Sequence, residues 1–163
     1  KDHTTFFAAA AQLAADRRFD DVAFVLCGPN ITTDNAALRT LWPPSLTPRL
    51  HLLGPQLDVR PILQALTLCT LTSTSEAMGM VLGEAMACGV PCVSTDVGDA
   101  RTLVADTGRV VPIRDPSALR DAWAELLSLT PPDRHALGHR ARERVIATRS
   151  FDAMCDAYLG LYR

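Results

Sequence analysis

No apolar run in this sequence is followed by G-x-G-x-x-G, no His or Cys cluster has metal-site spacing, and nothing resembles a Ser-His-Asp set. The first absence disfavours a dehydrogenase, and the last leaves no triad hydrolase to consider. An excess of one charge is also missing: 16 Lys and Arg stand against 18 Asp and Glu, a net charge of −2. That balance calls for neither nucleic acid nor an anionic membrane. No stretch is long and apolar enough to span a bilayer. The chain opens Lys1-Asp2-His3 and passes straight into an apolar helix pattern without a secretory leader, so a cytoplasmic setting is expected. Five cysteines (Cys27, Cys69, Cys88, Cys92, Cys155) form no redox or metal spacing, and reduced, mostly buried thiols are the expectation.

What is present is a core. With 48% apolar residues in 163, residues 1–163 fit one domain. Phe6 to Ala15 is Ala-rich and apolar on every face, the pattern of a helix packed on a sheet. Val22 to Cys27 is a continuous apolar run stopped by Gly28-Pro29, which suits a strand buried on both faces. Asp34 to Trp42 reads as a short helix closed by Pro43-Pro44, and Arg49 to Leu53 as a strand leaving through Gly54-Pro55. Val59 to Ala65 is a helix with Asp58 as N-cap and Pro61 in its first turn. Then come a strand at Leu66 to Leu71, a helix at Gly79 to Cys88, and strands at Pro91 to Thr95 and Arg109 to Val111. Helices follow over Pro116 to Leu129, from Pro131 to about Ala147, and over Phe151 to Tyr162. This alternation predicts an α/β fold, a Rossmann-like doubly wound parallel sheet that binds ligands at the carboxyl ends of its strands. Such a domain should open with a strand, and this chain opens with a helix. The first strand is therefore expected to be missing, as if the chain started inside a domain.

The stretch from Ser73 to Pro91 holds the chemistry. It leaves a predicted strand and turns through Gly79 into a helix whose first amides, on Met80, Val81 and Leu82, have no partners within it. They form an anion seat, strengthened by the helix dipole, and Gly79 allows close backbone approach. Glu84 lies one turn beyond Met80 on the same face, where a carboxylate could accept hydrogen bonds from a ribose diol beside that anion. Glu76, just before the turn, could hold sugar hydroxyls. The competing reading makes both glutamates ordinary acids of a helix start, where Asp and Glu are favoured anyway.

The segment resembles the E-x7-E signature of retaining GT-B glycosyltransferases, glycosyltransferase family 4. The family's setting is Ser-x-x-Glu, a Gly-containing turn, then Glu-Ala-Met-Ala-x-Gly-x-Pro. Here Ser73, Glu76, Gly79, Glu84-Ala85-Met86-Ala87, Gly89 and Pro91 fall in place. Lys1-Asp2-His3 looks like the family's turn whose lysine binds the donor diphosphate. Gly28 stands at the glycine that ends the family's next strand. Leu52-Leu53-Gly54 looks like the strand end over which the nucleobase lies, which would bring Gln56 near the base. Thr95 to Gly98, Asp106 to Pro112, and Asp115-Pro116 continue the likeness. The resemblance implies the C-terminal, donor-binding half of a GT-B enzyme whose acceptor-binding N-terminal domain lies outside this chain. It implies transfer of a sugar from a UDP-, GDP- or ADP-sugar with retained configuration, no cofactor and no required metal. Lys1 and Glu76 would be catalytic. Gly28, Gln56, Gly79, Met80, Val81, Leu82 and Glu84 would bind the donor, and the fragment alone would be inactive.

The sequence also departs from the pattern. Gly83 replaces a bulky apolar residue inside the helix, at about 1 kcal/mol relative to Ala unless close packing requires it. After Gly98 the family often has a second Gly and then a Glu near the sugar; here stand Asp99 and Thr102. The Val97-Gly98-Asp99 variant looks like members that assemble bacterial surface polysaccharides. His135 and His139 lie four apart among Arg134, Arg140, Arg142 and Arg144, which reads as a solvated helix face; peripheral contact with an anionic membrane is a minor reading. Trp42 and Trp123 read as core anchors. Two alternatives stay open: an epimerase or phosphorylase on the same architecture, and a nucleotide-sugar-binding module without catalysis.

Overall fold

The computed structural model describes residues 1–162. Helix α1 (His3–Ala14) precedes strand β1 (Phe24–Leu26), and β2 (Leu50–Leu52) pairs with it in parallel, Phe24 opposite Leu50. The short α2 (Ala36–Arg39) and a 3-10 turn (Pro44–Arg49) make the crossover. A second parallel sheet holds β3 (Cys69–Leu71), β4 (Cys92–Thr95) and β5 (Arg109–Val111) in that order, with Cys69 opposite Cys92 and Val93 opposite Arg109. Between them run α3 (Arg60–Ala65), α4 (Met80–Ala87) and α5 (Ala100–Val104). Helices α6 (Pro116–Leu127), α7 (Pro131–Arg149) and α8 (Phe151–Leu161) follow.

The expected α/β order is therefore present, but as two parallel sheets. Among the described residues, β1 is bonded to β2 alone and β3 to β4 alone. The facing edges of β1 and β3 line one cleft of about 830 Å³, whose wall includes Phe24, Leu26, Leu68 and Thr70. β1, β2, β3 and β4 are shorter than the runs expected for them, and β5 keeps its expected bounds. α5 was not foreseen. Asp58 is not the N-cap of α3: Val59 holds that position, while the Asp58 carboxylate accepts from the Arg60 amide at 3.0 Å.

Two apolar clusters fill the layers. One gathers Phe7, Leu13, Leu46, Leu119, Trp123 and Leu126 between α1, α6 and the first sheet. Trp123 is 4% exposed, stands edge-on to Phe6, and donates through Nε1 to the Thr70 hydroxyl at 2.9 Å. Burying such a side chain is worth roughly 1.5–3 kcal/mol. The other cluster packs Leu82, Ala85 and Met86 of α4 against Ala141 and Val145 of α7.

His135, His139, Arg140 and Arg142 are exposed, as expected of a solvated face, but three of the arginines of α7 also bind carbonyls of other helices. Arg134 donates to the Leu127 and Leu129 carbonyls at 3.1 and 3.2 Å. Arg142 bonds the Ala87 carbonyl, and Arg144 reaches that of Leu103 at 2.9 Å. These carbonyls end α6, α4 and α5, where helices leave acceptors unpaired and favour cations. The cysteines are all free, but only Cys69 and Cys92 are buried; Cys27 is exposed and the others half-buried. Helix α8 leaves Phe151, Met154, Tyr158, Leu159 and Leu161 exposed. No described helix is long and apolar enough to cross a membrane.

Candidate functional site

Because β3, β4 and β5 are parallel, their carboxyl ends share one side, and the turn from β3 into α4 lies there. Asp2 places Lys1 beside that turn. Its carboxylate caps α1, accepting from the Thr5 amide at 3.0 Å, while its own amide donates to the Thr72 carbonyl at 2.6 Å. Lys1 Nζ then pairs with Glu76 Oε1. The buried Ser73 donates its hydroxyl to the same oxygen at 2.7 Å. Lys1 first, and Ser73 second, hold the Glu76 carboxyl below the ordinary carboxylate range. The two residues assigned to catalysis from the sequence thus touch one another.

The helix start differs from expectation. The Met80 amide donates to the Met78 carbonyl at 3.0 Å and the Leu82 amide to the Gly79 carbonyl at 2.9 Å. Such tight local bonds are how helix ends often satisfy orphan donors. Of the three amides expected to be open, Val81 alone has no protein acceptor among the described residues. The Leu82 side chain is fully buried in the core. A methyl at Gly79 would sit 2.8 Å from Leu71 Cδ2 and 3.1 Å from Leu82 Cδ1, so those side-chain ends would have to shift to admit one.

Glu84 is exposed, and among the described residues it enters no ion pair. With Val81 and Lys1 it borders the cleft between β1 and β3, beside Val59 and Ile62 of the α3 region. Gly28 has φ of +143°, and its amide donates to the Gly54 carbonyl at 2.8 Å, tying the ends of β1 and β2. Gln56 is exposed, donates to the Leu53 carbonyl at 2.8 Å and is not part of the cleft wall. The site thus groups Lys1, Glu76 and Ser73 at one turn, with Val81 and Glu84 along the next helix. It leaves Gln56 apart. Among the described residues, no group of three or more His, Cys, Asp or Glu side chains is placed to hold a metal.

Sequence reading missed Thr95, whose hydroxyl donates to the Ser73 carbonyl at 2.7 Å. It also missed the pairing of Asp99 with Arg149 at 2.6 Å. Both contacts join residues distant in sequence, so no local signal announces them.

Residues 1–129 match the family model described as Glycosyl transferases group 1. The chain is 33% identical over 137 residues to N-acetyl-alpha-D-glucosaminyl L-malate synthase of Bacillus anthracis, covering 83% of this chain and 35% of that protein. The chain spans about a third of the length of the curated relatives it matches. A glycosyltransferase of Rickettsia africae superposes with a TM-score of 0.86 at 20% identity, over 99% of this chain and 44% of the other. Anabaena HepE, solved in complex with UDP and glucose, superposes with a TM-score of 0.73 at 22% identity, over 92% of this chain and 41% of the other. At those identities the likeness is one of fold, the GT-B architecture.

Proposed function

The chain belongs to the Glycosyl transferases group 1 family, and from that membership we propose that it is the donor-binding half of a two-domain retaining glycosyltransferase. The domain that takes the acceptor would lie in the remaining two thirds of such a protein. One observation carries the reading: a cation, two carboxylates and an open helix amide border a single turn at the carboxyl ends of the strands. The binding of UDP and glucose by a protein of the same fold supports a nucleoside diphosphate sugar as the ligand class.

The chemistry follows from charge. When the bond from sugar to diphosphate breaks, the leaving diphosphate gains negative charge. Lys1 and the Val81 amide are preorganised donors for it, in the manner of an oxyanion hole. Glu84, exposed and without an ion-pair partner among the described residues, is the acceptor for the ribose diol. Glu76, before the turn, faces the sugar. Because Lys1 is paired with Glu76, an arriving diphosphate must share Lys1 or draw it away. That exchange would couple seating of the diphosphate to freeing of the Glu76 carboxylate.

The test is calorimetry of the 163-residue chain with UDP, GDP and ADP, beside a transfer assay with activated hexoses. Weak binding of one nucleotide and no transfer is the expected outcome. Absence of binding to all three, or multiple turnover by the chain alone, would overturn the reading.

A further inference from the structure

We infer that Thr95 and Gly98, at the carboxyl end of β4, are positioning residues that fix the Glu76 turn from below and behind. Thr95 is 1% exposed, and its hydroxyl donates to the Ser73 carbonyl at 2.7 Å, with the Leu71 carbonyl 3.3 Å away. Ser73 is also 1% exposed and passes its own hydroxyl to Glu76 at 2.7 Å. A buried run of polar contacts therefore leads from β4 to the carboxylate. Buried polar groups held this way are costly to leave unmade, so the geometry is fixed rather than one of several.

Gly98 closes the other side. Its φ is +53°, and a methyl at that position would lie 2.7 Å from the carbonyl oxygens of both Glu76 and Ala77. Those obstacles are backbone and cannot swing aside. The loop is anchored where it presses on the turn: the Asp96 amide donates to the Val111 carbonyl at 2.8 Å, and Asp99 pairs with Arg149 at 2.6 Å. Hence β5 and α7 hold Gly98 in place, and Gly98 holds the Glu76 backbone. The consequence for turnover rests on the reading of Glu76 given above; the contacts themselves do not.

Four variants separate positioning from bulk stability: Thr95→Val, Thr95→Ser, Gly98→Ala and Gly89→Ala. Gly89 has φ of +76°, yet a methyl there would meet nothing nearer than 3.9 Å, so its variant has the left-handed strain without touching the Glu76 turn. Carbon-13 NMR follows the titration of the Glu76 carboxyl, assigned with Glu76→Gln, and circular dichroism checks the fold. In the parent chain Lys1 is the charged group paired with this carboxyl and Ser73 its neutral donor. Thr95→Val and Gly98→Ala should move the midpoint up toward the ordinary carboxylate range; Thr95→Ser and Gly89→Ala should leave it. Should Gly98→Ala fail to fold, the two Thr95 variants decide. A folded Thr95→Val that titrates like the parent overturns the inference. So does a Gly89→Ala shift as large as that of Gly98→Ala. In a full-length enzyme, Thr95→Val should lower kcat by about tenfold to a hundredfold, the scale of a ~1 Å misplacement, with little change in donor KM, and Thr95→Ser should restore it. A shifted titration with undiminished kcat would keep the positioning and remove the sugar-facing role from Glu76.

Discussion

Glu84 is exposed on α4 and enters no ion pair among the described residues, whereas one oxygen of Glu76 is shared between Lys1 and Ser73. The two carboxylates should therefore respond differently to substitution. Glu84→Gln keeps the shape and removes the charge. A hydrogen bond to a charged group is worth roughly 1.5–3 kcal/mol against about 0.5–1.5 for a neutral one, so nucleoside diphosphate affinity should fall by about tenfold. Unchanged affinity by calorimetry would reduce Glu84 to a helix residue. For Glu76 the ion pair sets the expectation. Glu76→Ala releases Lys1, so diphosphate affinity should hold or rise while turnover in a full-length enzyme falls; Lys1→Ala should lose both. Equal loss of binding in the two variants would misplace the sugar. The pair also has a pH signature. Its carboxyl is depressed on folding, so its contribution to stability is fully present above the ordinary carboxylate value and is lost as pH falls through the lower folded value. The melting difference between parent and Glu76→Gln should be constant above pH ~5 and shrink below pH ~4. It should also be small and weakened by salt, because Lys1 is 53% exposed. The glutamates were singled out in the sequence by the family resemblance. The pairing of Lys1 with Glu76 was not legible there, since the two lie 75 positions apart.

The two helical glycines on the α4–α7 interface are indistinguishable in sequence and opposite in space. A methyl at Gly83 would meet Val145 Cγ2 at 3.8 Å, an ordinary contact, so packing does not require the glycine. Gly83→Ala should stabilise the chain by roughly 0.5–1 kcal/mol through helix propensity. At Gly138 the same methyl would lie 2.0 Å from the Gly89 carbonyl oxygen, so α7 can pass that turn only with no side chain there. Gly138→Ala should destabilise by several kcal/mol, in the range that marks forced backbone movement. Thermal melts of both variants check the signs, and a destabilised Gly83→Ala would mean that α4 and α7 pack more closely than this. The contrast marks the limit of reading elements from a chain. Long helices such as α6, with Asp115 accepting from the Ala118 amide at 2.9 Å, and the strands at the apolar runs of β1 and β3 were legible, because period and caps are local. The burial of β1 on both faces was not borne out, since only Phe24 is buried and Ala23 and Cys27 are exposed. α5 was not, being five residues with no side-chain cap. Nor were the occupied amides of Met80 and Leu82, which depend on how the turn closes. The carbonyl partners of Arg134, Arg142 and Arg144 were not legible either, because those acceptors, the ends of other helices, appear only once the helices are packed.

At the scale of the molecule, the cleft between β1 and β3 divides the strands into two sheets. Parallel sheets are normally covered on both faces and continuous through the middle, since an unpaired interior edge leaves amides and carbonyls without partners. Here both facing edges are open and their walls largely apolar. The bond from the Asp2 amide to the Thr72 carbonyl gives the direction. A segment joined ahead of Lys1 and running parallel to β3 would arrive at Lys1 at the carboxyl end of the ladder. About six extended residues would span ~20 Å, enough to follow both runs. Ladder bonds at about 1 kcal/mol each are roughly offset by the backbone entropy of ordering the segment, so the net gain comes from burying its apolar side chains. We therefore expect a six-residue Val/Ile-rich extension to raise Tm by about 6–12 °C, the equivalent of ~3 kcal/mol for a domain of this size. A Gly/Ser extension of equal length should leave Tm unchanged. Hydrogen exchange should slow at the amides of β1 and β3 in the first variant and not in the second. Equal melting of the two would mean that the edges are satisfied as they stand, and that the sheets do not need a strand between them to act as one domain.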